Sequence, residues 1–211
     1  MAVRVLILLA LVACIQCKVL NLSCQQIKKF VDGHNIRRQQ LAKGEIGGQP
    51  AASEMKFMIW DHELAAKAEK WASEYRESHN PDKSVGSGRW SVGENLYWYS
   101  ITDFGYKLDA NLALTAWFDE HKDYTYGPLS SSDFGGPNQI GHYTQMAWSD
   151  STHLGCAISQ FNMSGWNKFM VVCNYGPTGN YLGQRPYKSG NPAGHLICTV
   201  GDCGRAYGDH C

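Results

Sequence analysis

The chain has 211 residues with 19 basic and 19 acidic side chains, so its formal net charge at pH 7 is zero. This length is sufficient for one compact domain with a sizeable core. Because there is no excess of positive charge, the chain lacks the electrostatic attraction on which nucleic-acid and anionic-membrane binding depends. We therefore expect neither nucleic acid nor an anionic membrane as a partner.

The N-terminal stretch MAVRVLILLALVACIQC, residues 1–17, has the organisation of a leader. One positive residue, Arg4, precedes a short apolar run, and small or sulfur-containing residues follow. This order is typical of a secretory signal peptide, and the run is shorter than the roughly 20 apolar residues that a membrane span requires. We predict cleavage between Cys17 and Lys18, a secreted extracellular protein, and no transmembrane segment.

Helical spacing of apolar side chains predicts three helices in the mature chain. The first covers residues 24–43 and ends before a glycine-rich stretch. The second begins after Asp61, a suitable N-cap, and extends to about residue 80, since Pro81 disfavours the helical conformation in the residue before it. The third spans about 107–122, with apolar side chains on one side.

Loops and two strands make up most of the remaining chain. Residues 82–93 are rich in glycine and serine, and a second long loop covers residues 124–140. Two strand-like runs, 153–161 and 168–175, are joined by a short polar segment typical of a hairpin. Helices followed by a late hairpin predict an α+β fold with helices packed against an antiparallel sheet. After Tyr181 the chain reads as an extended tail held by disulfides.

Cysteine usage agrees with secretion. Two of the eight cysteines lie in the leader, and an even number remain: Cys24, Cys156, Cys173, Cys198, Cys203 and Cys211. In a secreted chain this predicts three disulfides. Cys156 and Cys173 lie close in sequence in the strand-rich region, so we predict that they are paired. The other four allow three connectivities, and the sequence does not choose among them. A zinc–cysteine site is disfavoured because paired C-x-x-C spacings are missing.

Two N-glycosylation sequons are present, NLS at Asn21 and NMS at Asn162. Asn162 is the better candidate, because it lies in a polar loop between the two predicted strands. Since short sequons also arise by chance, both glycosylation sites are hypotheses that rest on the motif and on the predicted secretion of the chain.

Five segments resemble, in the right order, the recurring segments of the CAP superfamily, which contains cysteine-rich secretory proteins, antigen 5 and pathogenesis-related class 1 proteins. The resemblance runs from about Ile27 to Tyr187. The stretch MKFMIWDHELAAKAEKWA at 55–72 looks most like arthropod venom allergens of the antigen 5 type. The five segments are HNIRR (34–38), GENLY (93–97), AWFDEHKDY (116–124), GHYTQMAWSDS (141–151) and MVVCNYGPTGNY (170–181).

The resemblance implies a three-layer α-β-α sandwich with a central antiparallel sheet. We expect the CAP domain to cover 18–185 and a cysteine-containing C-terminal extension to cover 186–211. It also implies a cleft formed by two histidines and two glutamates, which match His79, Glu94, Glu120 and His142 in this sequence. Relatives bind zinc through the two histidines, which suggests His79 and His142 as Zn²⁺ ligands here.

The chemistry of these residues is compatible with that implication but does not require it. Neutral imidazole is a common zinc ligand, and a nearby carboxylate can orient the ring through its other nitrogen. Taken alone, however, His142 near Trp148 reads as a structural histidine, and Glu120 on an amphipathic helix reads as a solvated side chain. The sequence also departs from arthropod relatives, which carry cysteines on both sides of the first cleft histidine, so the segment with His79 is expected to be less tethered.

Three functions remain open. The preferred one is a secreted, non-enzymatic binding protein of antigen 5 type from a venom, saliva or other secretion, with a His/Glu cleft able to hold a divalent metal. It is expected to be a monomer, and its partner is a protein receptor or a small lipid or sterol. A sterol or small-lipid carrier is the first alternative, with the loop aromatics Tyr124, Tyr126 and Phe134 facing the lipid rather than packing the loop onto the domain.

The second alternative is a metal-dependent hydrolase with a glutamate as general base. The zinc-protease pattern His-Glu-x-x-His fails at Ala66, and no G-x-S-x-G motif marks a serine hydrolase. A catalytic cysteine is disfavoured because the remaining cysteines are expected in disulfides. We therefore do not expect an enzyme, and we assign no catalytic residue.

Overall fold

A computed structural model describes residues 18–135, 137–209 and 211, so the predicted signal peptide at 1–17 lies outside the described residues. Within them, no helix combines the length and apolar character needed to cross a bilayer. The strands are β1 (Lys18–Val19), β2 (Ile59–Trp60), β3 (Gly93–Ile101), β4 (His153–Met163) and β5 (Trp166–Gly176). The helices are α1 (Cys24–Lys43), α2 (His62–Glu74), α3 (Ala110–Asp119) and α4 (Gly141–Met146).

The sheet has the spatial order β1-β4-β5-β3, and all three pairings along this order are antiparallel. Strands β4 and β5 form the predicted hairpin, which turns at Ser164 and Gly165, both with positive φ. The short strand β2 pairs in parallel with the beginning of β4. The long strands therefore form the central antiparallel sheet, with one parallel pair added at its edge.

Side chains of the two hairpin strands alternate between two apolar layers, as the pleat of a sheet requires. Ala157, Met170 and Val172 pack with the buried face of α2. Ile158 and Val171 point the other way and join the larger core with α1, α3 and α4. The α-β-α sandwich expected from the sequence is confirmed.

The helix boundaries follow local capping. Helix α1 has the predicted bounds: Ser23 forms a capping box with Gln26, and Gly44 ends the helix in the left-handed conformation. Helix α2 ends at Glu74 instead of about residue 80. Tyr75 adopts a left-handed conformation, and the Trp71 indole nitrogen donates to the Ser78 carbonyl at 3.0 Å. The chain therefore turns back over the end of α2 before Pro81 is reached.

Helix α3 is also shorter than the predicted 107–122. Asp109 caps its N-terminus by accepting a hydrogen bond from the backbone of Asn111 at 3.0 Å. At the other end, residues Glu120–Lys122 tighten into a 3-10 turn. This change of helix type places Glu120 at the junction between the two.

Three disulfides join the six cysteines. Cys156 and Cys173 face each other across β4 and β5, and the pairs that the sequence left open are Cys24–Cys211 and Cys198–Cys203. The tail is held by backbone hydrogen bonds as well. The backbone N–H of Phe57, just before β2, donates to the carbonyl of Ile197 at 2.9 Å. The backbone N–H of Trp60, in β2, donates to the carbonyl of Ala206 at 2.7 Å. The residues of the predicted extension thus contact the body of the sandwich directly.

Candidate functional site

The two histidines and two glutamates come from four separate elements at one end of the sandwich. His79 lies in the loop after α2, and Glu94 is the second residue of β3. Glu120 begins the 3-10 turn after α3, and His142 is the second residue of α4. His79, Glu94 and His142 line one cavity of about 370 Å³, called the His–Glu cleft below. Glu120 reaches this site by hydrogen bonding to His142.

The pair formed by His142 and Glu120 is tightly constrained. Nδ1 of His142 lies 2.6 Å from Oε1 of Glu120. The other carboxylate oxygen, Oε2, accepts hydrogen bonds from the backbone N–H groups of His142 and Tyr143 at 2.9 and 3.1 Å. The indole of Trp117 is stacked with the imidazole at a centroid distance of 6.1 Å. Glu120 therefore orients the imidazole and binds two N–H groups in the first turn of α4.

The pair formed by His79 and Glu94 has the same connection but a different environment. Nδ1 of His79 lies 2.8 Å from Oε1 of Glu94, which also accepts the backbone N–H of Asn80 at 2.9 Å. The His79 side chain is 55% exposed, whereas that of His142 is 18% exposed. Glu94 itself is almost fully buried, with a side chain 2% exposed. His79 is thus the more accessible of the two imidazoles.

A buried hydrogen-bond chain connects the site to helix α1. Asn95, next to Glu94, donates to the carbonyl of His142 at 3.1 Å and to the Tyr175 hydroxyl at 3.0 Å. Tyr175 and Nε2 of His34 are 2.9 Å apart, and Nδ1 of His34 lies 2.7 Å from the carbonyl of Phe30. Because that carbonyl can only accept, Nδ1 of His34 carries the proton and Tyr175 donates to Nε2.

Burial fixes the protonation of this chain. Desolvation lowers the pKa of His34 to about 3, so its imidazole is neutral at physiological pH. Burial also raises the pKa of the Tyr175 hydroxyl well above its ordinary value, which keeps the hydroxyl available as a donor. These hydrogen bonds therefore connect β3, which carries Glu94, both to α4, which carries His142, and to α1. The imidazole and the hydroxyl that take part in them are uncharged.

Arg38 holds the other end of α4. Its guanidinium is buried and donates to the carbonyls of Met146 and Trp148 at 2.9 and 2.7 Å. Further donations reach the carbonyls of Lys56 and Ser149. Arg38 lies within the HNIRR segment but was not identified as a site residue from the sequence, because an arginine on a helix usually reads as exposed. Its contacts fix where α4 ends and hence where His142 lies.

The loop aromatics divide into two groups. Tyr124 is 7% exposed and lies in the main core, where its hydroxyl donates to the Gly127 carbonyl at 2.6 Å. Tyr126 packs against Tyr187, with ring centroids 5.0 Å apart. Phe134 alone of the three lines the His–Glu cleft, and it is 46% exposed. In this conformation two of the aromatics pack the loop onto the domain, and one faces the cleft.

Both sequon asparagines are exposed. Asn162 lies in β4, near the tip of the β4–β5 hairpin, and not in a loop between the strands as predicted, because the hairpin ladder extends to Met163. Asn21 precedes α1, where its sequon partner Ser23 also serves as the N-cap. A glycan at either position would extend into solvent. Glycosylation of the two asparagines stays a prediction.

The donor set of the cleft partly fits a zinc ion. Each imidazole contacts a glutamate through Nδ1, and neither Nε2 atom has a hydrogen-bond partner among the described residues. This is the arrangement in which a carboxylate orients a histidine ligand. Over the part of the chain that the structure describes, however, no group of three or more histidine, cysteine, aspartate or glutamate side chains could hold a metal. The only imidazole nitrogens that line the cleft without a hydrogen-bond partner among the described residues are therefore Nε2 of His79 and Nε2 of His142.

Comparison with known proteins identifies the class to which this fold belongs. Residues 31–175 match the cysteine-rich secretory protein family, CAP, and the chain belongs to this family. It is 41% identical to venom allergen 5 of Rhynchium brunneum over 156 aligned residues, and the aligned region covers 74% of this chain and 67% of that protein. It is 38% identical to scoloptoxin SSD976 of Scolopendra dehaani over 177 aligned residues, and the aligned region covers 83% of this chain and 80% of that protein.

The three-dimensional fold is similar to that of solved members. The crystal structure of NaASP2 with Zn²⁺ superposes with a TM-score of 0.68 at 30% identity, covering 85% of this chain and 93% of that one. The structure of BmVAL-1 gives a TM-score of 0.67 at 27% identity, covering 84% and 88%. These similarities confirm the resemblance noted in the sequence and the sandwich fold.

Proposed function

We propose that this protein is an extracellular, non-enzymatic binding protein of antigen 5 type, present in a venom, saliva or other secretion, and that the His–Glu cleft is its recognition site. The similarity to venom allergen 5 supports the type of protein. The observation that carries the proposal is the convergence of His79, Glu94 and His142 on one cavity of ligand-binding size.

The proposal includes a divalent metal held by His79 and His142. Its support is that both rings are hydrogen-bonded to glutamate through Nδ1, which leaves Nε2 of each available as a ligand atom. A zinc-bound crystal structure of the similar protein NaASP2 adds weight. Because zinc prefers four ligands and the cleft offers two, solvent or a bound molecule would complete the coordination sphere. When bound, such an ion would provide a positive charge and exchangeable coordination positions in the cleft.

Calorimetric titration with Zn²⁺ tests the metal. We expect the wild-type protein to bind one ion, and His79→Ala and His142→Ala each to weaken binding strongly, because either change removes one of two protein ligands. His195→Ala is the matched control, since His195 is exposed and lies outside the cleft. Zinc affinities that are equal in all four proteins would reject the metal site.

A sterol or small-lipid carrier is the second candidate. Its support is that Phe134, Ile140 and Leu96 give the cleft an apolar wall. We expect Phe134→Ala to reduce binding of a fluorescent sterol, whereas Tyr126→Phe, which alters a packed loop residue, should leave it unchanged. Equal binding by Phe134→Ala and the wild type would exclude this carrier.

A metal-dependent hydrolase has less support. Both oxygens of Glu120, the carboxylate beside His142, already accept hydrogen bonds from neighbouring groups. A carboxylate so engaged is poorly placed to accept a proton from water. Proteolysis by the purified protein that a chelator abolishes would overturn the non-enzymatic proposal.

A further inference from the structure

Two acceptor oxygens of the His–Glu cleft are buried and accept no hydrogen bond from any described residue: Oε2 of Glu94 and Oδ1 of Asn180. Both residues line the cleft, and both also line an adjoining recess that contains His79. Buried polar groups in proteins are almost always satisfied by a partner. A buried acceptor of this kind is satisfied by ordered water or by a donor on a ligand, and two of them on residues that line one cleft favour a shared donor there.

The identity of the Asn180 atom follows from its neighbour. Nδ2 of Asn180 lies 2.9 Å from the carbonyl oxygen of Gly141. A carbonyl oxygen only accepts, so the amide nitrogen must face it and the amide oxygen must face away. Oδ1 of Asn180 and Oε2 of Glu94 are therefore both acceptors without a donor, and a ligand that satisfies them must supply N–H or O–H groups.

The charge of the cleft selects among donors. Three acidic residues line it, namely Glu77, Glu94 and Asp133, and no lysine or arginine does so among the described residues. Lys83 lines the adjoining recess, and it forms no ion pair with Glu94 among the described residues. Hydrogen bonds between a cationic donor and a carboxylate are about twice as strong as neutral ones. The cleft thus favours a cationic donor over a hydroxyl group.

The same cleft exposes two aromatic rings. Trp98 is 38% exposed and Phe134 is 46% exposed, and both belong to its lining. Aromatic faces attract organic cations and also bury apolar groups. A cavity of about 370 Å³ is of a size that accommodates a small molecule.

We propose that the His–Glu cleft binds a small organic cation, a primary amine attached to an aromatic or other apolar group, with the ammonium donating to Glu94 Oε2 and Asn180 Oδ1 and the apolar group lying against Trp98 and Phe134. This proposal rests on the cleft being the recognition site. It adds the chemical class of the ligand, and it does not require a metal.

Calorimetric titration with three related probes tests the ligand class, in the presence of a chelator so that metal is not a variable. The probes share a phenylethyl group: 2-phenylethylamine, its neutral isostere 2-phenylethanol, and the anionic 3-phenylpropanoate, whose head group is larger. We expect the amine to bind about tenfold or more tightly than the alcohol, and the anion to bind most weakly. Equal affinities of the amine and the alcohol would overturn the proposal and indicate that ordered water alone satisfies the two oxygens.

Two variants locate the binding site. Glu94→Gln should remove the preference for the amine over the alcohol, because it removes the charge. Asn180→Gly should weaken amine binding without altering either histidine pair, and glycine suits the positive φ of 59° at this position. Glu54→Gln, outside the cleft, is the matched control. An amine preference that persists in both Glu94→Gln and Asn180→Gly would overturn the site.

Zinc titrations of the same proteins separate this proposal from the metal site. Binding of zinc by the wild type and by Asn180→Gly, with no preference for the amine, would reject the organic-cation proposal alone. Preferential amine binding without zinc binding would reject the metal site alone. Failure of both ligands would reject the cleft as a recognition site.

Discussion

The two histidine–glutamate pairs are alike in connectivity but differ in rigidity. Glu120 accepts hydrogen bonds from the imidazole of His142 and from two backbone N–H groups, so both of its oxygens are engaged. Glu94 uses one oxygen for His79 and for a backbone N–H, and its other oxygen has no partner in the part of the chain that the structure describes. The His142 pair is therefore the preorganised half of the cleft, and the His79 pair is the accessible half.

The Glu120→Gln variant tests the role of that preorganisation. We expect it to lower zinc affinity about 10- to 100-fold, because the carboxylate that orients His142 and raises its basicity is lost. Asp119→Asn, at the neighbouring exposed position, is the control. Calorimetric titration at fixed pH provides the measurement, and an unchanged affinity in Glu120→Gln would show that His142 does not depend on its partner.

Because His34 on α1 is buried and neutral, we expect the stability of the protein to decrease as the pH is lowered. The pKa of His34 is about 3 in the folded protein, against an ordinary value near 6.5 in the unfolded chain. Between these values the unfolded chain binds a proton that the folded protein does not, so stability falls as pH is lowered through this window. Above pH 6.5 this group makes no contribution to the pH dependence.

We expect this one group to remove about 3 kcal/mol of unfolding free energy between pH 7 and pH 4. Urea unfolding of the wild type and of His34→Gln at both pH values gives the comparison. The variant lacks the titrating group, so it should lose less stability over the same interval. Equal losses in the two proteins would contradict the assignment of a neutral buried His34.

At the scale of elements, the sequence was most informative where local signals were complete. Helix α1 has a capping box at Ser23 and a left-handed glycine at Gly44, and its bounds could be read directly. Helix α2 ended early because Tyr75 takes a left-handed conformation, which no residue-type preference indicates for tyrosine. The segment Gly141–Met146 is too short for helical periodicity to show, and its N-cap makes no side-chain hydrogen bond.

The cleft residues could be named only as a set, through the family resemblance. Local chemistry assigns His142 to a structural role, and it gives no reason to bring Glu94 on β3 together with His79 in a loop. The supporting residues Asn95, Arg38 and Asn180 were missed, because their contacts join segments far apart in the chain. Such contacts depend on the sheet register and helix packing rather than on any spacing within the sequence.

Close packing of α2 on β4 depends on Gly155. A Cβ atom at this position would lie 2.0 Å from the Ala65 nitrogen and 2.4 Å from the Leu64 carbonyl carbon. Because these are backbone atoms, the helix would have to shift. We expect Gly155→Ala to lower the unfolding free energy by about 1–3 kcal/mol.

Gly47→Ala is the control for that prediction, since a Cβ at Gly47 would meet no atom within 4 Å. Urea unfolding of both variants measures the difference. A Gly155→Ala protein as stable as Gly47→Ala would show that α2 does not need this close approach.

At the scale of the whole molecule, the tail closes the chain on itself. The Cys24–Cys211 disulfide joins residues 187 apart, whereas the Cys198–Cys203 disulfide joins residues 5 apart. A cross-link that closes a longer loop restricts the unfolded chain more. Of the two disulfides in the tail, Cys24–Cys211 is therefore expected to stabilise the fold more.

Serine replacements of each pair test this. We expect loss of Cys24–Cys211 to lower the unfolding free energy by about 2–5 kcal/mol, and loss of Cys198–Cys203 to have a smaller effect. Denaturant unfolding without reductant gives both values. A larger loss for the Cys198–Cys203 pair would contradict the role assigned to the long loop.

The central claim is that His79 and His142 together face one cleft and can hold a metal there. X-ray absorption spectroscopy of the zinc-loaded protein measures this most directly. We predict two imidazole nitrogens at about 2.0–2.1 Å, with oxygen ligands completing the shell, and one imidazole in His142→Ala. A zinc shell without histidine, or one that keeps two imidazoles in His142→Ala, would contradict the account.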